Sequence, residues 1–134
     1  MSARDPALED VFSSRSAECV RAHARNIQLR GEPPLTDWEA GFVKGLPERL
    51  WQDRFTKSQV AKLDEIEFLT RVVTLWRGQP TATMLAVCYA ERLDFDEDDE
   101  AWLLDIWERP NREIYGRDIR RLARMTDQIN GDLD

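Results

Sequence analysis

The chain is poor in the residues that build catalytic and metal sites. It has one histidine, His23, and two cysteines, Cys19 and Cys88, which stand in no CxxC or zinc-type spacing. It has no glycine-rich phosphate loop, serine-centred elbow or paired-histidine motif. The sequence therefore predicts a protein that is not an enzyme, holds no metal or cofactor, and keeps both thiols reduced.

Long apolar runs and an excess of positive charge are also missing. The most apolar window, residues 83–90, is less than half of the roughly 20 residues that span a bilayer. The first residues contain no apolar stretch typical of a signal peptide, so we expect a cytoplasmic protein that does not enter membranes. The net charge of −7 argues against sequence-independent binding to DNA or anionic lipid.

Apolar residues are nevertheless plentiful, at 42% of the 134 residues, and five of them are tryptophan. Most recur at the three- and four-residue spacing of helices that bury one side. The sequence predicts an all-α protein with one compact domain over residues 1–134 and about five to seven helices. We expect residues 1–5 to be frayed and residues 131–134 to form a short tail.

The first half of the chain carries clear helix starts and stops. Pro6 favours a short helix that ends near Phe12, and a second helix is expected from the serines at 13–16 to Gly31. Two capping boxes, at 36–39 and 56–59, predict two further helix starts.

A proline interrupts the helix that begins at residue 36. Pro47 cannot donate a backbone hydrogen bond, so we expect this helix to kink there and to restart as a second short piece before Leu50 and Trp51. Trp38, Trp51 and Trp76 occupy helical positions for which core packing is the expected role.

The helix that starts at residues 56–59 continues into the second half, where three more helices are predicted. The apolar period of residues 60–76 indicates a long helix, and residues 84–93 indicate a deeply buried one capped by Thr81 or Thr83, with a buried strand as the alternative. Residues 101–108 and 111–129 complete the set, the last ending at Asn130 and Gly131.

Six acids occupy seven positions in the acidic segment, residues 94–100. They favour a helix start, where the helix dipole attracts negative charge, and they lack the central glycine of an EF-hand loop. The functional interpretation is an anionic surface that binds a basic partner protein, with two tryptophans as apolar anchors. The residues predicted for this site are Asp94, Asp96, Glu97, Asp98, Asp99, Glu100, Trp102 and Trp107.

The last predicted helix carries an arginine stripe, which consists of Arg117, Arg120, Arg121 and Arg124. One interpretation is an ordinary solvent face, and another is a nucleic-acid-binding surface that contacts phosphates. A third hypothesis pairs the stripe of one copy with the acidic segment of another, which would give a two-fold homodimer.

Cys19 and His23 are four residues apart, so a helix places both on one side. Such a pair could share a metal or act as nucleophile and base. The sequence places no third ligand or orienting acid beside them. The favoured interpretation is that both flank the apolar stripe, half-buried and without a chemical role.

The two capping boxes belong to a longer pattern over about a quarter of the chain, formed by Leu35, Thr36, Asp37, Trp38, Glu39, Phe42, Arg49, Phe55, Thr56, Gln59, Leu63 and Ile66. This pattern resembles short helical segments of small bacteriophage and mobile-element proteins. The resemblance implies an inhibitor or adaptor, a class that includes anti-CRISPR proteins, some of which look like nucleic acid to a host complex. It carries no catalytic residue.

Overall fold

The computed structural model describes residues 11–132 and the side chains of residues 11–131. In this part of the chain it contains six α-helices and one two-stranded hairpin, which confirms the all-α prediction. The helix expected between Pro6 and Phe12 falls mostly outside the described residues. By its internal contacts the chain divides into two compact units, Met1–Thr70 and Arg71–Asp134, and the prediction of a single domain stays a prediction.

From residue 11 onward, the first unit contains three helices, α1 (Ala17–Leu29), α2 (Asp37–Glu48) and α3 (Lys57–Thr70). Ser16 caps α1 by accepting a hydrogen bond from the Cys19 backbone at 3.2 Å. Each helix buries one apolar stripe, as the spacing predicts, and the stripes meet in one core. This core contains Val20, Ala24, Ile27, Val43, Leu46, Phe55, Val60, Leu63 and Ile66.

Both predicted capping boxes are confirmed. The hydroxyl of Thr36 accepts from the Glu39 backbone at 3.2 Å, and the Glu39 carboxylate accepts from the Thr36 backbone at 2.9 Å. Thr56 and Gln59 repeat the exchange at 3.1 and 2.9 Å. Each pair satisfies two backbone N–H groups that the first turn of a helix leaves unpaired.

The expectation of two pieces around Pro47 is wrong. Helix α2 includes Pro47 and ends one residue later, at Glu48, with no second piece after it. A proline in the last turn removes only one hydrogen bond near an end that stops anyway. Trp51 is consequently 77% exposed and Trp38, on the outer side of α2, is 58% exposed, so neither is the core residue that the sequence predicts.

Helix α3 is shorter than predicted, because it ends at Thr70 rather than near Trp76. The β-branched residues that follow favour extended backbone, and Val73 donates its backbone N–H to Ile114 at 2.7 Å. Strands β1 (Leu75–Trp76) and β2 (Gln79–Pro80) form a hairpin. Its two turn residues, Arg77 and Gly78, both have positive φ, as in a type I′ turn.

The second unit contains the hairpin and three helices, α4 (Thr81–Ala90), α5 (Glu97–Trp107) and α6 (Gly116–Asp132). Helix α4 packs against α5 and α6. It is a helix as predicted but is buried on one side only, and Thr81 does not cap it but donates to the Val73 carbonyl at 2.7 Å. The buried apolar side chains include Met84, Leu85, Leu103, Ile106, Ile119, Leu122 and Met125.

Helices α5 and α6 begin at positions that differ from the prediction. Helix α5 begins at Glu97, four residues early, and so contains most of the acidic segment. Helix α6 begins at Gly116, five residues late, because Asn111 and Arg112 have positive φ and Tyr115 forms a β-bridge with Val72. It continues through Gly131, where the sequence predicts a tail. No helix among the described residues has the length and hydropathy to cross a membrane.

Candidate functional site at the acidic face of helix α5

Local capping places the acidic segment on α5. The side chain of Asp96 is the N-cap and accepts a hydrogen bond from the Asp99 backbone at 2.8 Å. The four acids that follow occupy the first turn, where unpaired backbone N–H groups stabilise negative charge. The acidic segment therefore lies at a helix start, as predicted, and Asp96 caps that helix.

Asp99 is buried, at 5% exposure, and two arginines of α6 hold its carboxylate. Its Oδ1 accepts hydrogen bonds from Arg121 Nε at 2.9 Å and from Arg124 at 3.0 Å, and Oδ2 accepts from Arg124 at 3.1 Å. Burial acts to raise the pKa of Asp99, but the two guanidinium groups outweigh it and lower that pKa below its ordinary value. Asp99 therefore stays ionised inside the fold.

This ion pair corrects two predicted sites at once. Asp99 belongs to the predicted partner-binding surface, but its carboxylate does not face solvent. Arg121 and Arg124 make up half of the arginine stripe, and both already pair with the Asp99 carboxylate, which offsets part of their positive charge. Of the other two, Arg120 is exposed and Arg117 is half-buried. Acidic segment and arginine stripe thus pair within one chain at this point, where the sequence suggested a pairing between copies.

The two tryptophans predicted as anchors also contact their own chain. The guanidinium of Arg121 lies 5.0 Å from the Trp102 ring centre. Trp107 stacks on Tyr89 of α4, with 3.9 Å between ring centres and 4° between planes, and Arg112 covers it at 3.6 Å. Both tryptophans are half-buried. They position α5 and are not exposed anchors.

The exposed side of α5 forms a different surface, which we call the acidic face. Glu97, Asp98, Asp105 and Glu108 lie on this one side because their spacing matches successive helix turns. Asp94 precedes the helix and is also exposed, whereas Glu100 is half-buried. The apolar members of the face are Leu93, Ala101 and Leu104, and Leu93 is 77% exposed.

Sequence reasoning missed five members of this face: Leu93, Ala101, Leu104, Asp105 and Glu108. The signal was present, because residues 97, 101, 104, 105 and 108 follow the three- and four-residue period of a helix. Using it required the true start of α5 at Glu97. A cation comes near the face at Asp105, whose Oδ2 lies 4.0 Å from Arg109, a residue that binds Asp118 more closely at 2.7 Å.

The acidic face has the charge to attract a basic surface. Among residues 11–132, no group of three or more histidines, cysteines or acids is arranged to hold a metal ion. Carboxylates that remain solvated act at a distance, by attracting and orienting positive charge. Exposed Leu93 and Leu104 add apolar area that a partner could bury.

A second polar cluster lies in the first unit. His23 Nε2 is 3.0 Å from Glu67 Oε2, and Arg30 donates to both oxygens of Glu67 at 2.6 and 2.7 Å. Burial acts to raise the pKa of Glu67, but Arg30 and His23 outweigh it and lower that pKa. Glu67 is an acid beside His23 that the sequence did not place. It joins α1 to α3, since Arg30 follows α1 directly.

The two cysteines differ in their surroundings. Cys19 is exposed, not half-buried as expected, and His23 is half-buried as expected. Cys88 is buried in the second unit with Sγ 3.4 Å from the Thr126 hydroxyl, and burial raises the pKa of its thiol. The prediction that the protein is not an enzyme stays a prediction.

Comparison of the chain with protein-family models, with curated protein sequences and with solved structures found no match.

Proposed function

We propose that this protein is a non-enzymatic interaction module that binds a partner protein through the acidic face. The observation that carries the proposal is the gathering of five exposed carboxylates around Leu93 and Leu104, on and just before one side of α5. Asp99, Trp102 and Trp107 support this surface from beneath rather than contacting the partner. The proposed contact set is Leu93, Asp94, Glu97, Asp98, Leu104, Asp105 and Glu108.

Charge indicates the chemistry of the partner. Carboxylates on one rigid helix attract an array of lysines and arginines, and a basic cleft that binds phosphates focuses the same attraction. The proposed partner is therefore a nucleic-acid-binding protein whose basic site the acidic face occupies. The resemblance of residues 35–66 to phage and mobile-element proteins supports a narrower proposal, in which that partner is a host complex in the cytoplasm.

Apolar contacts are needed in addition to charge. Attraction between solvated charges is screened within about 8 Å at physiological salt. Leu93 and Leu104 lie among the carboxylates and can be buried on contact, which adds affinity that salt does not remove. Charge and apolar contact together predict an affinity that falls as the salt concentration rises but does not depend on salt alone.

The test is a pull-down from host-cell lysate at low and high salt, with and without nuclease. The test variant is Asp94→Asn/Glu97→Gln/Asp98→Asn, and the matched control, Glu18→Gln/Glu48→Gln/Asp53→Asn, makes the same charge change at exposed positions of the first unit. We expect a nuclease-resistant partner that wild type and control capture at low salt and that the test variant does not.

A second step tests the site on the partner. The purified partner is loaded with its labelled DNA or RNA, and wild-type protein should displace the label while the test variant should not. Capture that disappears with nuclease, or that the test variant retains in full, would show that the acidic face is not the binding surface. Circular dichroism of each variant checks that α5 is intact.

A further inference from the structure

One side of α2, next to its buried stripe, carries an exposed aromatic ring and an exposed glycine. Trp38 is 58% exposed and Gly41 is exposed, whereas Phe42 is half-buried and packs against the core that contains Val43 and Leu46. A shallow depression of about 430 Å³ lies on this side. Its lining residues are Asp37, Trp38, Gly41, Phe42 and Arg49.

Two aromatic rings and a glycine, which has no side chain, form the middle of the depression. Trp38 and Phe42 stack with 5.2 Å between ring centres and 9° between planes, and the Lys62 ammonium lies 4.7 Å from the Trp38 ring centre. A Cβ atom placed on Gly41 would meet nothing within 4 Å. The surface between the rings and Gly41 is thus apolar, accessible and preformed, as in sites that bind a ligand side chain.

Opposite charges mark the two ends of this depression. Asp37 begins α2 and Arg49 follows its last residue. In the described part of the chain, neither the Asp37 carboxylate nor the Arg49 guanidinium forms a hydrogen bond or ion pair. Both residues line the same depression, so a ligand that pairs with both must carry charges of opposite sign.

We propose that this depression is a docking site for a short extended peptide segment of a partner protein. A basic residue of the segment pairs with Asp37, an acidic residue pairs with Arg49, and an apolar side chain between them packs on Trp38 and Phe42. The site lies in the first unit and is independent of the acidic face.

A bulky substitution inside the depression and one outside it form a pair of variants. Gly41→Leu fills the depression, while helix α2 gains a residue with better helix propensity. Ala22→Leu is the matched control, because it adds the same side chain at an exposed position of α1 that does not line the depression. Arg49→Gln removes the cation at one end.

The experiment begins with a displayed random-peptide library that is selected on the wild-type chain, after peptides that bind Gly41→Leu have been removed. The enriched peptides are then synthesised with a fluorescein label, and their binding is titrated by fluorescence anisotropy. We expect sequences with an apolar residue between a basic and an acidic one. Binding should weaken about tenfold or more in Gly41→Leu, which fills the depression, and in Arg49→Gln, which removes one charge-assisted contact. It should be unchanged in Ala22→Leu.

Three binding results would overturn the proposal. They are a library with no peptide enriched on wild type over Gly41→Leu, an enriched peptide whose affinity does not respond to Arg49→Gln, and equal loss of binding in the Ala22→Leu control. Sedimentation velocity is run in parallel. If wild type self-associates and Gly41→Leu is monomeric, the occupant is a second copy of this chain and the peptide proposal is wrong.

Discussion

Asp99 Oδ1 lies 2.8 Å from Nη2 of Arg121, a residue 22 positions further along the chain. This contact joins the acidic segment to the arginine stripe, which the sequence presents as two alternative binding surfaces. The carboxylate is buried, whereas the guanidinium reaches solvent. Because Asp99 is used to hold α5 on α6, the acids that remain available to a partner are those on the opposite side of the helix.

Replacing Asp99 with asparagine should destabilise the second unit. The change leaves Arg121 and Arg124 facing a buried neutral group, and removal of one partner of such a pair costs about 1–3 kcal/mol when the other partners are partly solvated. Urea denaturation followed by circular dichroism measures the loss. Asp98→Asn, one position earlier and exposed, is the control and should cost less, about 0.3–1 kcal/mol, because it removes only the attraction of one first-turn charge to the helix dipole; equal losses in the two variants would contradict this account.

Acid should destabilise the protein through Asp99 and Glu67. Both carboxyls have a lowered pKa in the folded chain, so unfolding takes up protons and becomes easier as the pH falls. The stability that these two carboxyls contribute is fully present above about pH 5. It declines as the pH falls through the ordinary carboxyl pKa near 4, which applies to the unfolded chain, towards the lower pKa of the folded chain.

Urea midpoints at pH 7, 5, 4 and 3 measure this effect. The double variant Asp99→Asn/Glu67→Gln should be less stable than wild type at pH 7 and should lose less stability on acidification. The variant Asp98→Asn/Asp53→Asn, which changes two exposed acids, should keep the wild-type pH profile. A double variant with the same acid dependence as wild type would exclude these two carboxyls as its source.

Gly41→Ala should stabilise the first unit by about 0.5–1 kcal/mol, because alanine has the higher helix propensity and its Cβ meets no atom there.

Gly78→Ala should act in the opposite direction. Gly78 has φ of +79° in the hairpin turn, a conformation that costs an L-residue about 1 kcal/mol or more. Thermal unfolding of both variants compares the signs, and stabilisation by Gly78→Ala would contradict the turn geometry.

The two thiols should react at very different rates. Cys19 is exposed, whereas Cys88 is buried and its raised pKa keeps it protonated. Ellman's reagent should therefore titrate one thiol in the native protein and two in urea. Cys19→Ser should abolish the native reaction; fast native labelling of that variant would show that Cys88 is accessible.

The sequence predicted correctly the features that depend on residues close together in the chain. Thr36 with Glu39, and Thr56 with Gln59, form capping boxes because a helix start brings positions three apart into contact. The buried stripe of α1 follows from the same helical period. The acidic segment lies at a helix start, as its charge indicates, because the helix dipole acts within one turn.

Tertiary structure decided the features that depend on distant residues. The apolar period includes Val73, but Val73 is not helical because its backbone pairs with Ile114. No local signal reveals a partner 41 positions away. Trp38 and Trp51 are exposed because the core of the first unit is filled by other side chains. Charge in the sequence determined that a strongly acidic surface exists, whereas the packing of α5 on α6 decided which carboxylates belong to it, since only folding brings Asp99 to Arg121 and Arg124.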